Sequence, residues 1–375
     1  MNGACDPAFA AVGEAFAAGF DERGELGAAL CVLLRGRAVV DVWGGHADVA
    51  RTRAWHADTV VNVYSAVKGV TAACAHRVVD DGRLDLDAPV ARVWPELARG
   101  ALGDTRVHEL LSHRAGLAAL HRDPPPGAGL EWEPMIRALE DETPWWPPGS
   151  AHGYHAITFG WLVGEVVQRA AGRPLREVLD AFAAPLRLEL DIGWRGDPER
   201  VAELAPMRLS PAAPGDPFFA TLADPASLTA HALTIPTVHG APGMVNSAAW
   251  RAAVIPASNG HASARGLARL YAALAGGGLL SPETLARAVA PASEGPDRVL
   301  RHPTRFGLGF MLSNPLRPFS PNARAFGHSG AGGSVGFADP DAEVGFGYVV
   351  NQPFASSLGG DPRWAPIVSA LYAAL

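Results

Sequence analysis

The tetrapeptide Ser65-Ala66-Val67-Lys68 sets a hydroxyl and an amine at i, i+3 spacing. On a helix those two side chains share one face, within reach of each other. From Ala66 to Ala75 the only charged residue is Lys68, and a helix apolar almost all round is a buried one. An ammonium is costly to bury there, so its pKa falls and the neutral amine becomes accessible. A neutral amine beside a hydroxyl is a general base beside a nucleophile. If Ser65 begins the helix, its own N–H is one of the unpaired donors and can point at an oxyanion. Of the 31 lysine and arginine residues, Lys68 is the only lysine. It is either a chance survivor of a bias towards arginine or a position that needs a cation able to lose its proton, which arginine cannot do near neutral pH.

A second serine competes for the role. Residues 332–336 read GGSVG, the G-x-S-x-G pattern of the α/β-hydrolase elbow, with Ser334 as the attacking residue. That triad runs Ser, then Asp or Glu, then His. Asp339, Asp341 and Glu343 follow Ser334, but the last of the 13 histidines is His328. The elbow also needs a helix after the serine, whereas VGFADPDAEVGFGYVV reads as strand, turn, strand. Ser334 is therefore expected to be a small residue in a glycine-rich strand entry. His152 and His155 form an H-x-x-H pair with no carboxylate or cysteine at ligand spacing, so neither a metal nor another cofactor is expected. The run Trp145-Trp146-Pro147-Pro148 is read as lining an acyl or alcohol pocket through Trp146, with ordinary packing as the alternative.

Six stretches between roughly residues 55 and 350 carry a wider likeness: VNVYSAVKGV, GRLDLDAPVARVWPE, LLSHRAGL, GYHAITFGWLVGEVV, IPASNGHASARGLARLYAALAGGG and FGHSGAGGSVGFADP, in that order. The chain resembles the serine β-lactamase and penicillin-binding-protein superfamily, and within it the family VIII carboxylesterases. The resemblance implies Ser65 as nucleophile and Lys68 as its base. It sets Tyr154, in GYHA, on the family's Tyr-x-Asn position, where a phenol shuttles a proton between Ser65 and the leaving group. A buried aromatic before a helix is the alternative for Tyr154. It sets His328-Ser329-Gly330 on the strand motif that is Lys-Thr-Gly in lactamases and commonly His-x-Gly in esterases. Gly330 then lets the strand backbone approach the substrate, and the N–H of Ala331 joins that of Ser65 as an oxyanion donor. His328 either donates a hydrogen bond to the substrate or is structural.

Two departures bear on substrate. The family asparagine is Ala156 here, and the lysine of Lys-Thr-Gly is His328, mostly neutral at pH 7. Without that permanent charge a neutral ester is favoured over a β-lactam. The expected activity is hydrolysis of small neutral carboxylic esters through an acyl-enzyme on Ser65. One alternative is an ATP-independent acyltransferase passing the acyl group to an alcohol or amine, as relatives do in natural-product pathways. A β-lactamase or D-peptidase is a second, and a non-catalytic binding module a third.

The elements that must hold these residues can be read more coarsely. Residues 28–43 read as a hairpin turning at Arg35-Gly36-Arg37, and the C-terminal hundred residues return to strand-like runs. Between them the pattern is helical, with a helix ending at Gly82, two more broken at Gly172 and Pro174, and one over 263–275. The N-terminal twenty residues read as an amphipathic helix, and APIVSALYAAL as a closing one. The fold class expected is α/β (α+β): an antiparallel sheet of N- and C-terminal strands flanked by helices, plus a mostly helical insert, the β-lactamase/transpeptidase arrangement the resemblance implies. Residues 1–85 and 185–375 are expected to form a discontinuous α/β domain with a long pocket-wall loop at about 205–260, and 86–184 a helical domain.

Bulk properties agree. With 48% hydrophobic and 18% charged residues, the chain is an ordered globular one. A net charge of −7 and no basic cluster make nucleic acid or an anionic membrane surface poor partners. No signal peptide or uncharged run of membrane-spanning length is read, and three widely spaced cysteines fit a reducing cytoplasm. The expected partner is a small-molecule ester or acyl donor.

Overall fold

The computed structural model describes residues 1–97, 102–209, 216–355 and 363–375. Its centre is a nine-stranded antiparallel sheet in the order Asn2–Cys5, Arg37–Gly45, Gly27–Leu34, Val344–Val350, Val335–Asp339, Phe326–Ser329, Met311–Leu312, Pro303–Phe306 and Ser293–Pro296. The N-terminal hairpin turns at Arg35 and Gly36, both at positive φ, the left-handed pair that a two-residue turn needs to match strand twist. Its first strand pairs with the last long one, from Leu34 opposite Val344 to Ala28 opposite Val350. That seam joins the two ends of the chain, as the strand-like runs at both ends lead one to expect.

Alternation along Val344–Val350 decides what covers each face. Gly345 and Gly347 point to one side, where a Cβ on either would lie 2.5 and 2.2 Å from the carbonyl oxygens of Ala268 and Ala264. Helix Ala264–Ala275 can therefore lie backbone to backbone on the sheet. Phe346 and Tyr348 point to the other side, where Tyr348 meets the ring of Phe16 edge-on at 6.4 Å. Helices Ala10–Glu22 and Ala365–Ala373 pack together and cover that face.

The excursion between the two halves of the sheet carries the helices. Val67–Asp80 packs on Thr158–Ala171, and Leu175–Ala183 follows after the break at Gly172 (φ 65°) and Pro174. A small three-stranded sheet, Val61–Asn62, Gly260–Ala262 and Leu190–Ile192, feeds the chain into Val67–Asp80.

Two expectations are corrected. The first residues are not helical: Asn2–Cys5 is an edge strand on Arg37–Gly45, and helix starts only after Asp6 has capped the turn Pro7–Phe9. The pattern of small residues is compatible with helix, but a free sheet edge beside the hairpin captures them. Nor is 205–260 a long loop. Past residue 216 it holds Pro217–Leu222, Leu228–Thr234 and Ala248–Ala252, capped by the side chains of Asp216, Ser227 and Ser247. Helices this short are stabilised by caps and packing, and they leave no readable period.

The glycine contact gives a test. Gly347→Ala drives a methyl group into the backbone of Ala264–Ala275, with an overpacking cost of about 1–3 kcal/mol. Thermal unfolding should show a midpoint lowered by several degrees, whereas Gly36→Ala is expected to act only through turn strain, because nothing lies within 4 Å of its Cβ.

Candidate active site

The segment that carries Ser65 is built by crowding. Val63 N–H donates to Gly260 C=O (2.8 Å), Tyr64 sits at φ 47°, and Val67–Asp80 begins two residues after Ser65. Left-handed backbone at a non-glycine residue stores on the order of 1 kcal/mol and persists only where surroundings over-determine it. Here Gly260 supplies the constraint, since a Cβ on it would lie 2.4 Å from that of Val67. The turn leaves the Ser65 side chain half-buried at the start of the helix. The Ser65 N–H donates to no acceptor among the described residues.

Lys68 is fully buried, and its Nζ lies 3.0 Å from Ser65 Oγ, 2.7 Å from Ala156 O and 2.8 Å from Ala257 O. Carbonyls only accept, so two N–H bonds are committed to them. In the neutral amine the remaining lone pair is left for the Ser65 hydroxyl. No carboxylate among the described residues pairs with Lys68, and burial alone holds its pKa well below the ordinary 10.5.

Tyr154 completes the cluster. Lys68 Nζ stands 4.9 Å above its ring, and the ring stacks on Phe306 at 5.9 Å. Burial raises its pKa above the usual 10, and the facing Ser65 hydroxyl pulls against that rise. Its backbone is held by a residue that no sequence pattern marked: the Asp297 carboxylate accepts the Tyr154 N–H with both oxygens at 3.1 Å, and also the N–H groups of Val299 and Leu300. His113, inside LLSHRAGL, packs its ring 5.1 Å from Tyr154 and 4.6 Å from Phe306. Arg317, after strand Met311–Leu312, is a further unmarked residue, a cation whose charge acts on both Tyr154 and His328.

The strand Phe326–Ser329 flanks the cluster. Gly330 must be glycine for contact, because a Cβ there would lie 2.0 Å from the carbonyl oxygen of Val63. Ala331 is exposed in the turn beyond, and its N–H donates to no acceptor among the described residues. His328 departs from the expected substrate-binding role. It is 1% exposed, and its Nδ1 faces the carbonyl of Ser329 at 2.8 Å, so Nδ1 carries the proton and no donor is left for a ligand. Burial, then the charge of Lys68, lowers its pKa to about 3, which keeps it neutral.

Trp146 is also displaced from its expected place. At 2% exposure it lies edge-on to His155 at 5.8 Å, with the Arg298 guanidinium 5.5 Å over it, and so backs the Tyr154 segment without lining an open pocket. His152 and His155 turn to separate partners, Thr304 Oγ1 and the carbonyl of Gly153. Ser334 is buried, its Oγ accepting the N–H of Val350 (3.3 Å), and a strand follows it. The geometry thus brings together Ser65, Lys68 and Tyr154, sets the Gly330 backbone against that of Val63, and turns the Ser334 hydroxyl away to Val350.

Comparison with known proteins identifies the family and the fold. The Beta-lactamase family model matches residues 12–366. The chain is 36% identical over 367 residues to the esterase/beta-lactamase LipL of Mycobacterium tuberculosis, covering 93% of this chain and 82% of that one. Its fold is similar to a family VIII carboxylesterase (TM-score 0.88, 36% identity, 100% and 99% of the two chains). It is equally similar to a penicillin-binding-protein homologue from Caulobacter crescentus (TM-score 0.88, 37% identity, 100% and 99%).

The buried amine dictates a pH dependence. If Lys68 is the base for Ser65, reactivity rises with pH as Lys68 loses its proton and then levels off. With Lys68 held well below 10.5 and Tyr154 above 10, the rate of Ser65 modification by a fluorophosphonate should reach a plateau that persists to pH 10. A rate still climbing at pH 10 would mean that Lys68 titrates like an exposed lysine.

Proposed function

The chain belongs to the beta-lactamase family, on the side of its carboxylesterase-type hydrolases, and we propose that it cleaves small neutral carboxylic esters through an acyl-enzyme on Ser65. The observation that carries the reading is the Lys68 amine, buried without a counter-ion and tied to two carbonyls so that its lone pair is left for Ser65 Oγ. Lysine can act this way where arginine cannot, because guanidinium keeps its proton.

In the first step Ser65 Oγ attacks the ester carbonyl carbon while its proton passes to Lys68. The carbonyl oxygen becomes an oxyanion held by the N–H groups of Ser65 and Ala331, donors that need no reorganisation because they have no other partner. The C–O bond then breaks, and the proton returns through the Tyr154 hydroxyl to the departing alkoxide. In the second step water attacks the acyl-enzyme by the same route, its proton going to Lys68 and on to Ser65 Oγ as the acid leaves.

The substrate class follows from charge. His328 is neutral and buried where a lysine would hold a carboxylate, which supports an uncharged ester. Arg317 supports a second reading, a β-lactam or other acyl donor bearing a carboxylate, since its charge bears on Tyr154 and His328.

Ser65→Ala should lower hydrolysis of a short p-nitrophenyl ester by at least about 10³-fold, the scale on which removing a nucleophile acts. Ser334→Ala should leave the rate close to the parent's, and Lys68→Arg should lose about 10²–10⁴-fold, as removing a general base does. Full activity in Ser65→Ala would overturn the mechanism. Turnover of nitrocefin as fast as that of the ester would replace the neutral-ester reading with the second one.

A further inference from the structure

The oxyanion donor proposed at Ala331 lies in a glycine-rich turn with no side chain of its own to hold it in place. Its N–H belongs to the peptide unit that also carries the carbonyl of Gly330. In a trans peptide the two point in opposite directions. Gly330 C=O accepts the N–H of Gly333 (3.2 Å), inside the turn. The Ala331 N–H is therefore aimed outward, and its direction is set by where the Gly332–Gly333 peptide lies. That peptide is gripped at its other end: Gly332 C=O accepts the N–H of Phe354 (3.3 Å) and the Arg363 guanidinium, Nη2 at 2.5 Å.

Arg363 is 1% exposed and reaches three parts of the chain at once. Besides Gly332 C=O, its Nη1 donates to Gln352 C=O (2.6 Å) and to the Glu25 carboxylate (3.1 Å), and its guanidinium lies 4.6 Å over the Phe354 ring. Glu25 precedes strand Gly27–Leu34 and also accepts from the Tyr348 hydroxyl. A guanidinium fork with fixed geometry makes such a set of contacts where a single ammonium would not. An ion pair this deep is weak evidence for stability, because desolvation offsets its attraction. A role in positioning accounts for it.

We infer that Arg363, held by Glu25, is a positioning residue for the oxyanion hole: by fixing the Gly332 carbonyl it aims the Ala331 N–H at the reacting carbonyl. The inference rests on the Ser65 acyl-enzyme reading. None of these contacts is to Ser65, so Arg363 acts on the transition state through the turn.

Arg363→Lys keeps a cation beside Glu25 and loses the fork. It should lower kcat by about 10- to 100-fold, somewhat less than deleting an oxyanion donor outright, with KM nearly unchanged. Affinity for a trifluoromethyl ketone, which forms a tetrahedral oxyanion on serine, should fall by the same factor as kcat/KM. A merely structural arginine would lower the melting temperature and leave both at parent values in the folded protein. That outcome overturns the inference. If Arg363→Lys does not fold, the double variant Glu25→Gln/Arg363→Met, which removes both charges of the pair, is read in the same way. Ser65→Ala separates the two failures. If it stays active, the acyl-enzyme reading is wrong; if it is inactive while both Arg363 variants match the parent, only the positioning role is.

Discussion

A single amine taken out of water without a counter-charge is the constraint on which the rest of this structure depends. Lys68 can stay there only because two carbonyls, from Ala156 and Ala257, come from separate parts of the chain to meet it. Each must be held rigidly, since a carbonyl drifting away leaves a buried donor unmet at a cost of about 1–3 kcal/mol. The Ala257 carbonyl is held by Asn259, whose side chain accepts from Ile255 N–H and donates to the carbonyls of Trp250 and Ala253. The Ala156 carbonyl follows Tyr154, which Asp297 fixes through its backbone. The same contacts that make the amine tolerable also aim it.

Close approach to the backbone is the second requirement, and glycine supplies it. Gly260 admits Val67, Gly330 admits the Val63 carbonyl, and Gly69 admits the Tyr271 hydroxyl at a distance where a Cβ would collide. The Ser65 turn, the flanking strand and the covering helix are thus locked together by close packing against bare glycine backbone. This explains how Tyr64 is kept at a strained φ of 47° beside the nucleophile.

Where the chain departs from the family's side chains, main chain takes part of the load. The position of the family asparagine is Ala156, which serves Lys68 through its carbonyl. The position of the motif lysine is His328, neutral and turned to its neighbour's carbonyl. These exchanges keep the proton chemistry around Ser65 and remove a permanent charge from the substrate side. On the mechanism proposed above, they would change substrate preference without changing the chemistry.

Much of this was legible in the residues. The i, i+3 spacing of Ser65 and Lys68 in an apolar run, the lone lysine, the absence of histidine after Ser334 and the strand-like ends were all local or compositional facts. They led to the sheet and to the Ser65–Lys68 pair on which the proposed mechanism rests without any contact map. Residue type could not choose between the two readings of Trp146 or of His328, because it does not say which way a side chain faces; burial favours the packing role for each. Asp297 and Arg363 could not be found at all. Their partners lie 143 residues away at Tyr154 and 338 away at Glu25, and a carboxylate or guanidinium in a loop carries no periodicity. Sequence by itself determined which groups can do chemistry, because reactivity is a property of side chains and their near neighbours. Only the tertiary structure decided how those groups are aimed, because aim depends on backbone contacts between segments that sequence leaves far apart.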